Sequence, residues 1–132
     1  RPRGRIETSL LVCAGEDGVS RIVGGIGFGR YDDEPFELGY WITPDAWGRG
    51  YATEAGAAVI DMARTLRVPR LAAGHYVDNP ASGRVLRKLG FRATGRIVPR
   101  FSRGRGGEVQ CVEYEQQLSA ADCDDPFDRM AA

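Results

Sequence analysis

Histidine occurs once, at position 75, and cysteine three times, at 13, 111 and 123, with no C-x-x-C spacing. So thin a supply of soft ligands argues against a Cys/His zinc site, and no metal is expected. The odd cysteine count does not read as a disulfide framework, which leaves reduced thiols in a cytoplasmic protein as the expectation. No apolar run approaches the ~20 residues of a membrane-spanning helix. Arg1-Pro2-Arg3-Gly4-Arg5 has no apolar segment of signal-peptide length behind it. Net charge is also missing: 18 basic residues balance 18 acidic ones, which argues against a nucleic-acid partner held by bulk charge. No G-x-x-x-x-G-K-[ST] run occurs, so an ATP or GTP P-loop is not expected.

What is present is a chain of 132 residues with 42% hydrophobic and 27% charged content, the profile of one globular domain. Its charge is unevenly placed. Arg84 to Arg105 holds eight basic residues and no acidic one, while Asp122 to Asp128 holds four Asp. The basic block reads either as a surface near a phosphate-rich ligand or as a solvated face, the commoner case. The domain is expected over residues 1–119, with 120–132 as a tail.

Thr8–Ala14, Arg21–Tyr31 and Phe36–Thr43 read as three strands of an antiparallel meander, separated by Gly15-Glu16-Asp17-Gly18 and Asp32-Asp33-Glu34-Pro35. In the third, Phe36, Leu38, Tyr40 and Ile42 alternate with Glu37, Gly39 and Trp41. The period then changes. Ala52, Ala55, Val59, Met62 and Leu66 form one stripe of a helix that starts near Arg49 and ends before Pro69. Leu71–Val77 reads as a strand. Asn79 and Pro80 suit the N-cap and first position of a second helix, which Gly90 stops. Phe91–Val98 and Val109–Leu118 are final strands. The order predicts an α/β fold, a mixed sheet with helices packed on it. Gly25, Gly27 and Gly29 do not open a helix, so they mark a bulge or close packing in a strand rather than a dinucleotide fingerprint.

Gly48, Gly50 and Ala52 sit where the third strand turns into the first helix. A helix start carries free N–H groups and partial positive charge, and small residues let a phosphate approach the backbone. Arg49 would add a charge-assisted contact. The plain alternative is a tight connection that binds nothing.

The stretch Glu37-Leu38-Gly39-Tyr40-Trp41-Ile42-Thr43-Pro44, followed by Trp47-Gly48-Arg49-Gly50-Tyr51-Ala52-Thr53-Glu54-Ala55, resembles the acetyl-CoA motif of GNAT acetyltransferases. Asn79-Pro80-Ala81-Ser82, Val85-Leu86 and Lys88-Leu89-Gly90-Phe91 resemble a second block found in the branch of ribosomal-protein N-terminal (RimJ/RimL-like) acetyltransferases. The likeness runs from about Ile22 to Ile97. It implies a GNAT-like fold and transfer of the acetyl group of acetyl-CoA to a primary amine, either a protein N-terminus or a small molecule. The N–H groups of Gly48, Arg49, Gly50, Tyr51, Ala52 and Thr53 would hold the pyrophosphate. The strand edge at Trp41, Ile42 and Thr43 would pair with pantetheine amides. Asn79 and Ser82 would meet the pantetheine and the sulfur end. Ser82 would act as general acid, because Leu86 stands where many relatives carry Tyr. Glu37 is the favoured base, with His75, Glu108 and Glu113 behind it. The alternative is a GNAT-like module that binds acetyl-CoA without turnover. Relatives carry a strand and a helix pair ahead of the segment equivalent to Thr8–Ala14, where only seven residues stand here. The expectation is therefore a fragment, a wall supplied by another chain, or an open acceptor side whose apolar surface would favour a homodimer.

Overall fold

The computed structural model describes residues 5–16, 18–31, 34–102 and 104–119. Cys123 and the acidic tail expected over 120–132 lie outside them. Six strands and two helices follow in the order β1 (Arg5–Glu16), β2 (Val19–Tyr31), β3 (Phe36–Ile42), α1 (Tyr51–Thr65), β4 (Arg70–Tyr76), α2 (Pro80–Lys88), β5 (Arg92–Ser102) and β6 (Gly107–Gln117). They build one mixed sheet in the order β1-β2-β3-β4-β6-β5. The expected mixed α/β sheet is the one observed.

The meander β1–β2–β3 is antiparallel, and β3 then runs parallel to β4. Both crossovers, β3–α1–β4 and β4–α2–β5, step the same way along the sheet. The right-handed rule therefore sends both helices to one face, and α1 and α2 pack against each other there. Ile26, Phe28, Leu38, Leu71, Ala73 and Tyr114 of the sheet meet Val59, Ile60 and Ala63 of α1 and Leu86 of α2 in one core. The buried face of α1 is Gly56, Val59, Ile60 and Ala63. It is rotated from the predicted stripe, and Leu66, placed on that stripe, is 59% exposed just past the helix end. Gly56 explains the rotation. A Cβ there would meet the Leu89 side chain, so α1 approaches the end of α2 through a position with no apolar signal.

The opposite face is open. Gly25, Gly27, Glu37, Gly39, Trp41, Ala72 and Glu113 line a broad concavity of about 1150 Å³ on that side. Of the glycines expected to mark a bulge or close packing, Gly25 and Gly27 are closely packed. A Cβ on Gly27 would collide with the Thr8 carbonyl of β1, and one on Gly25 would meet the Trp41 indole. Gly27→Ala should therefore push β1 off β2 and cost about 1–3 kcal/mol of stability, the usual range for overpacking. Urea unfolding would read this as a lower midpoint at unchanged slope.

Candidate functional site

β3 and β4 register as a parallel pair only at Phe36↔Leu71 and Glu37↔Ala72. Beyond that point β4 continues on β6, and Leu38–Ile42 has no partner on the β4 side. The two strands splay, and a cleft of about 560 Å³ opens between them.

At the mouth of the splay the chain leaves β3 through a single 3-10 turn, Pro44–Ala46, and reaches α1. Three contacts fix this connection. Thr43 N–H donates to the Val23 carbonyl at 2.7 Å, Ala46 is buried beside Val23, and the Trp47 indole N–H donates to the Ile42 carbonyl at 2.7 Å. Thr43 Oγ1 donates to Asp45 and Arg21 pairs with it, and the two hold the Asp45 carboxyl below its usual range. Gly48 and Gly50 have φ of 77° and 80°, the left-handed region that favours glycine. A Cβ on either would meet nothing within 4 Å, so the space before the turn is open. The first helical bond runs from Glu54 N–H to the Gly50 carbonyl at 3.0 Å. The N–H groups of Tyr51, Ala52 and Thr53 precede it, and no side chain caps the helix at Gly50. The Tyr51 side chain packs against the cluster of Ala14, Val23 and Ala46, which ties the turn to the sheet. Open room, left-handed glycines and N–H groups without helical partners fit an anionic pyrophosphate.

Inside the cleft, Tyr40 Oη lies 2.7 Å from Ser82 Oγ and bridges β3 to the first turn of α2. Burial raises the Tyr40 phenol above its ordinary value. Asn79 stands at the N-cap of α2, as expected, but without a side-chain capping bond. It works through its backbone, donating to the Tyr76 carbonyl at 2.9 Å and accepting from Ser82 N–H at 3.2 Å. Leu86 is buried and brings no hydroxyl. His75 is committed on both nitrogens. Nδ1 faces the Tyr76 carbonyl at 2.7 Å and so carries the hydrogen, and Nε2 meets Tyr114 Oη at 3.3 Å.

Glu37 reaches the edge of the same cleft from the open face of β3. It is not free: Arg100 of β5 holds it with Nη2–Oε2 at 2.6 Å and Nη1–Oε1 at 3.5 Å. Cys111 beneath this pair has its thiol pushed up, chiefly by burial. Glu113 accepts from Thr94 at 2.9 Å, and Glu108 is exposed near the start of β6, away from the cleft. Trp41 lies over Gly25 on the open face and pairs with it in the β2–β3 ladder. With Thr43 N–H spent on Val23, alternation turns the backbone of Trp41 and Thr43 toward β2, so of the edge expected at Trp41, Ile42 and Thr43 it is Ile42 whose N–H faces the splay. The structure thus brings Glu37, Asn79 and Ser82 together in one cleft, while Gly48 to Thr53 follow the C-terminal end of the splayed β3 and do not line the cleft. Tyr40 and Arg100 were missed as site residues, and the bond from the Trp47 indole to the Ile42 carbonyl could not be read from the motif that contains Trp47. The alternation that placed Tyr40 on an apolar face was the one signal available for it.

The basic block does not form one patch. Arg100 is taken by Glu37 and Arg105 by Asp78, while Arg87 donates to Tyr114 Oη. Arg105 also lies over the Tyr76 ring at 4.3 Å, and Tyr76 Oη donates to Ser102. These contacts pin the β5–β6 turn beside the cleft. The Arg105 hydrogen bonds hold the Asp78 carboxyl below its usual range. With a lowered folded value, this pair's contribution is present above the ordinary carboxylate pKa and is lost as pH falls through the lowered one.

The fold and this geometry define a mixed α/β domain with an anion-attracting helix start at the mouth of a strand splay. The family model described as an acetyltransferase (GNAT) domain matches residues 3–92, and the chain belongs to that family. It is 35% identical over 80 residues to an uncharacterized N-acetyltransferase, YoaA, of Bacillus subtilis. That match covers 58% of this chain and 45% of the relative, so the chain spans about half the length of the curated relatives it matches. A ribosomal-protein-alanine N-acetyltransferase from Brucella melitensis has the same fold, with TM-score 0.66 and 24% identity over 80% of this chain and 66% of that one. So does yncA of Salmonella typhimurium, a putative acetyltransferase solved with its cofactor acetyl-CoA, with TM-score 0.64 and 24% identity over 75% and 60%. Among the described residues no helix is long and apolar enough to cross a membrane.

Proposed function

We propose that this chain carries the acetyl-CoA site of an N-acetyltransferase and that the acceptor is a primary amine, such as a protein N-terminus. The observation that carries the reading is the juxtaposition of the Gly48–Thr53 helix start with the splay of β3 from β4. Together they offer an anion site and, next to it, an unpaired strand edge leading to polar side chains. Gly48, Arg49, Gly50, Tyr51, Ala52 and Thr53 would hold the pyrophosphate. Of Trp41, Ile42 and Thr43, Ile42 would offer its backbone N–H to pantetheine, since Thr43 is bonded to Val23 and Ala46 and Trp41 pairs with Gly25, and Asn79 and Ser82 would line its far end. When bound, acetyl-CoA supplies an activated acetyl group as a thioester.

The chain's own residues supply the rest. An N–H of the β3 edge near Ile42 would stabilise developing negative charge on a carbonyl oxygen. Ser82 has the hydroxyl to protonate a leaving sulfur. Glu37 has the carboxylate to take a proton from an incoming ammonium, directly or through water. Calorimetric titration with acetyl-CoA, followed by thiol release across an amine panel, tests the reading. Micromolar binding with amine-dependent release supports it. No release with the binding-competent protein would reject transfer by this chain.

The Glu37–Arg100 pair specifically favours a second reading, a module that binds acetyl-CoA without turnover. A carboxylate held by a guanidinium at 2.6 Å is a restrained base. Glu37→Gln separates the readings. If Glu37 is the base, thiol release falls roughly a hundredfold with acetyl-CoA binding unchanged. Unaltered release disqualifies it.

A further inference from the structure

Ser82 lies in the first turn of α2, where a serine ordinarily bonds to its own helix backbone. Its hydroxyl instead meets Tyr40, 42 residues away and on another element, at 2.7 Å. Of the two groups the phenol is much the stronger acid, so the stable arrangement has Tyr40 Oη–H donating to Ser82 Oγ. The serine hydrogen is then left to point elsewhere, and the cleft is the space beside it. The Tyr40 ring is packed against the core below, a cluster that includes Leu38. Its orientation is therefore set before any ligand arrives. Tyr40 also sits past the last β3–β4 pair, where β3 has no strand on its β4 side.

We propose that Tyr40 is the positioning residue of the Ser82 hydroxyl, aiming the serine hydrogen into the cleft and refilling it once it has left. The inference rests on the reading of Ser82 as the group facing the sulfur. As the bond between acetyl carbon and sulfur breaks, Ser82 Oγ gives its proton to the sulfur. Ser82 takes the proton of Tyr40 Oη, and the phenolate takes one from water. Leu86 cannot supply that proton, and His75 is committed to Tyr76 and Tyr114. The raised phenol pKa keeps Tyr40 protonated, and so able to donate, across the working range.

The test compares the wild type with Tyr40→Phe, Ser82→Ala and the double variant, each first checked for an unchanged melting transition. Coenzyme A is bound to each, and its thiol is titrated by ultraviolet thiolate absorbance, which needs no turnover. A hydrogen aimed at the sulfur favours the thiolate. The bound thiol should thus titrate lower in the wild type than in all three variants, and the three should agree. Identical titration in wild type and Tyr40→Phe overturns the proposal. In the transfer assay, Tyr40→Phe should lower kcat roughly tenfold to a hundredfold with KM for acetyl-CoA nearly unchanged. The double variant should be no slower than Ser82→Ala, whereas additive losses contradict action through Ser82. If the wild type binds coenzyme A but transfers to no amine, the transfer reading fails while the titration still decides the role of Tyr40. If it does not bind coenzyme A, both fall.

Discussion

Gly50→Glu should lose acetyl-CoA affinity by roughly two to three orders of magnitude while the protein stays folded. Gly50 has φ of 80° and open space where its Cβ would point. A side chain there projects into the volume assigned to the pyrophosphate. A carboxylate about 4 Å from a phosphate charge costs about 4 kcal/mol at the dielectric of a protein surface, and each 1.4 kcal/mol is about tenfold in affinity. The variant also strains the backbone, because a non-glycine residue at positive φ costs about 1–2 kcal/mol. Gly50→Ala isolates that strain. It should lower the melting temperature by a similar amount and keep affinity within a few-fold. Calorimetry on the pair separates the causes: equal affinity loss in both would assign the effect to backbone strain and remove the charge argument.

Leu71→Ala should cost about 2–5 kcal/mol, a large share of the 5–15 kcal/mol that holds a typical domain together. Leu71 is fully buried and opposes Phe36, one pairing before the strands part. Its side chain therefore supports both the core and the root of the splay. Leu66→Ala is the contrast. Sequence periodicity puts Leu66 on the buried stripe of α1, yet it is 59% exposed, so the change should fall within about 0.5 kcal/mol. Chemical unfolding of the two variants would show whether the core is the observed one. A comparable loss in both would restore the stripe read from the sequence.

That contrast marks what a single sequence can and cannot tell. β3 was legible because Phe36, Leu38, Tyr40 and Ile42 share a face by strict alternation. The start of α2 was legible because Asn79-Pro80 has a local conformational meaning. The face of α1 was misjudged because the choice between neighbouring stripes rests on Gly56, whose value is the room it leaves for Leu89. β5 runs past its expected end at Val98 through Pro99 to Ser102. Proline signals a stop, but β5 is an edge strand bonded only to β6, and an edge tolerates a missing N–H. The turn Pro44–Ala46 is a single short turn, which carries no periodicity. In the site, the helix start at Gly48–Thr53 could be inferred because small residues at a strand-to-helix junction have a direct physical reading. The Glu37–Arg100 and Tyr40–Ser82 contacts could not. They join residues 63 and 42 positions apart and exist only after the sheet assembles. The acidic partners of the basic block likewise come from other elements, Asp78 for Arg105 and Glu37 for Arg100.

The central claim is that coenzyme A enters along the splayed edge of β3 with its pyrophosphate at the start of α1. Backbone amide NMR during titration with coenzyme A tests it most directly. The largest shifts are expected at the amides of Gly48 to Thr53 and of Tyr40 to Thr43, with smaller ones at Asn79 and Ser82. Shifts centred on the glycines of β2, or no saturable shifts at any of these amides, would contradict it.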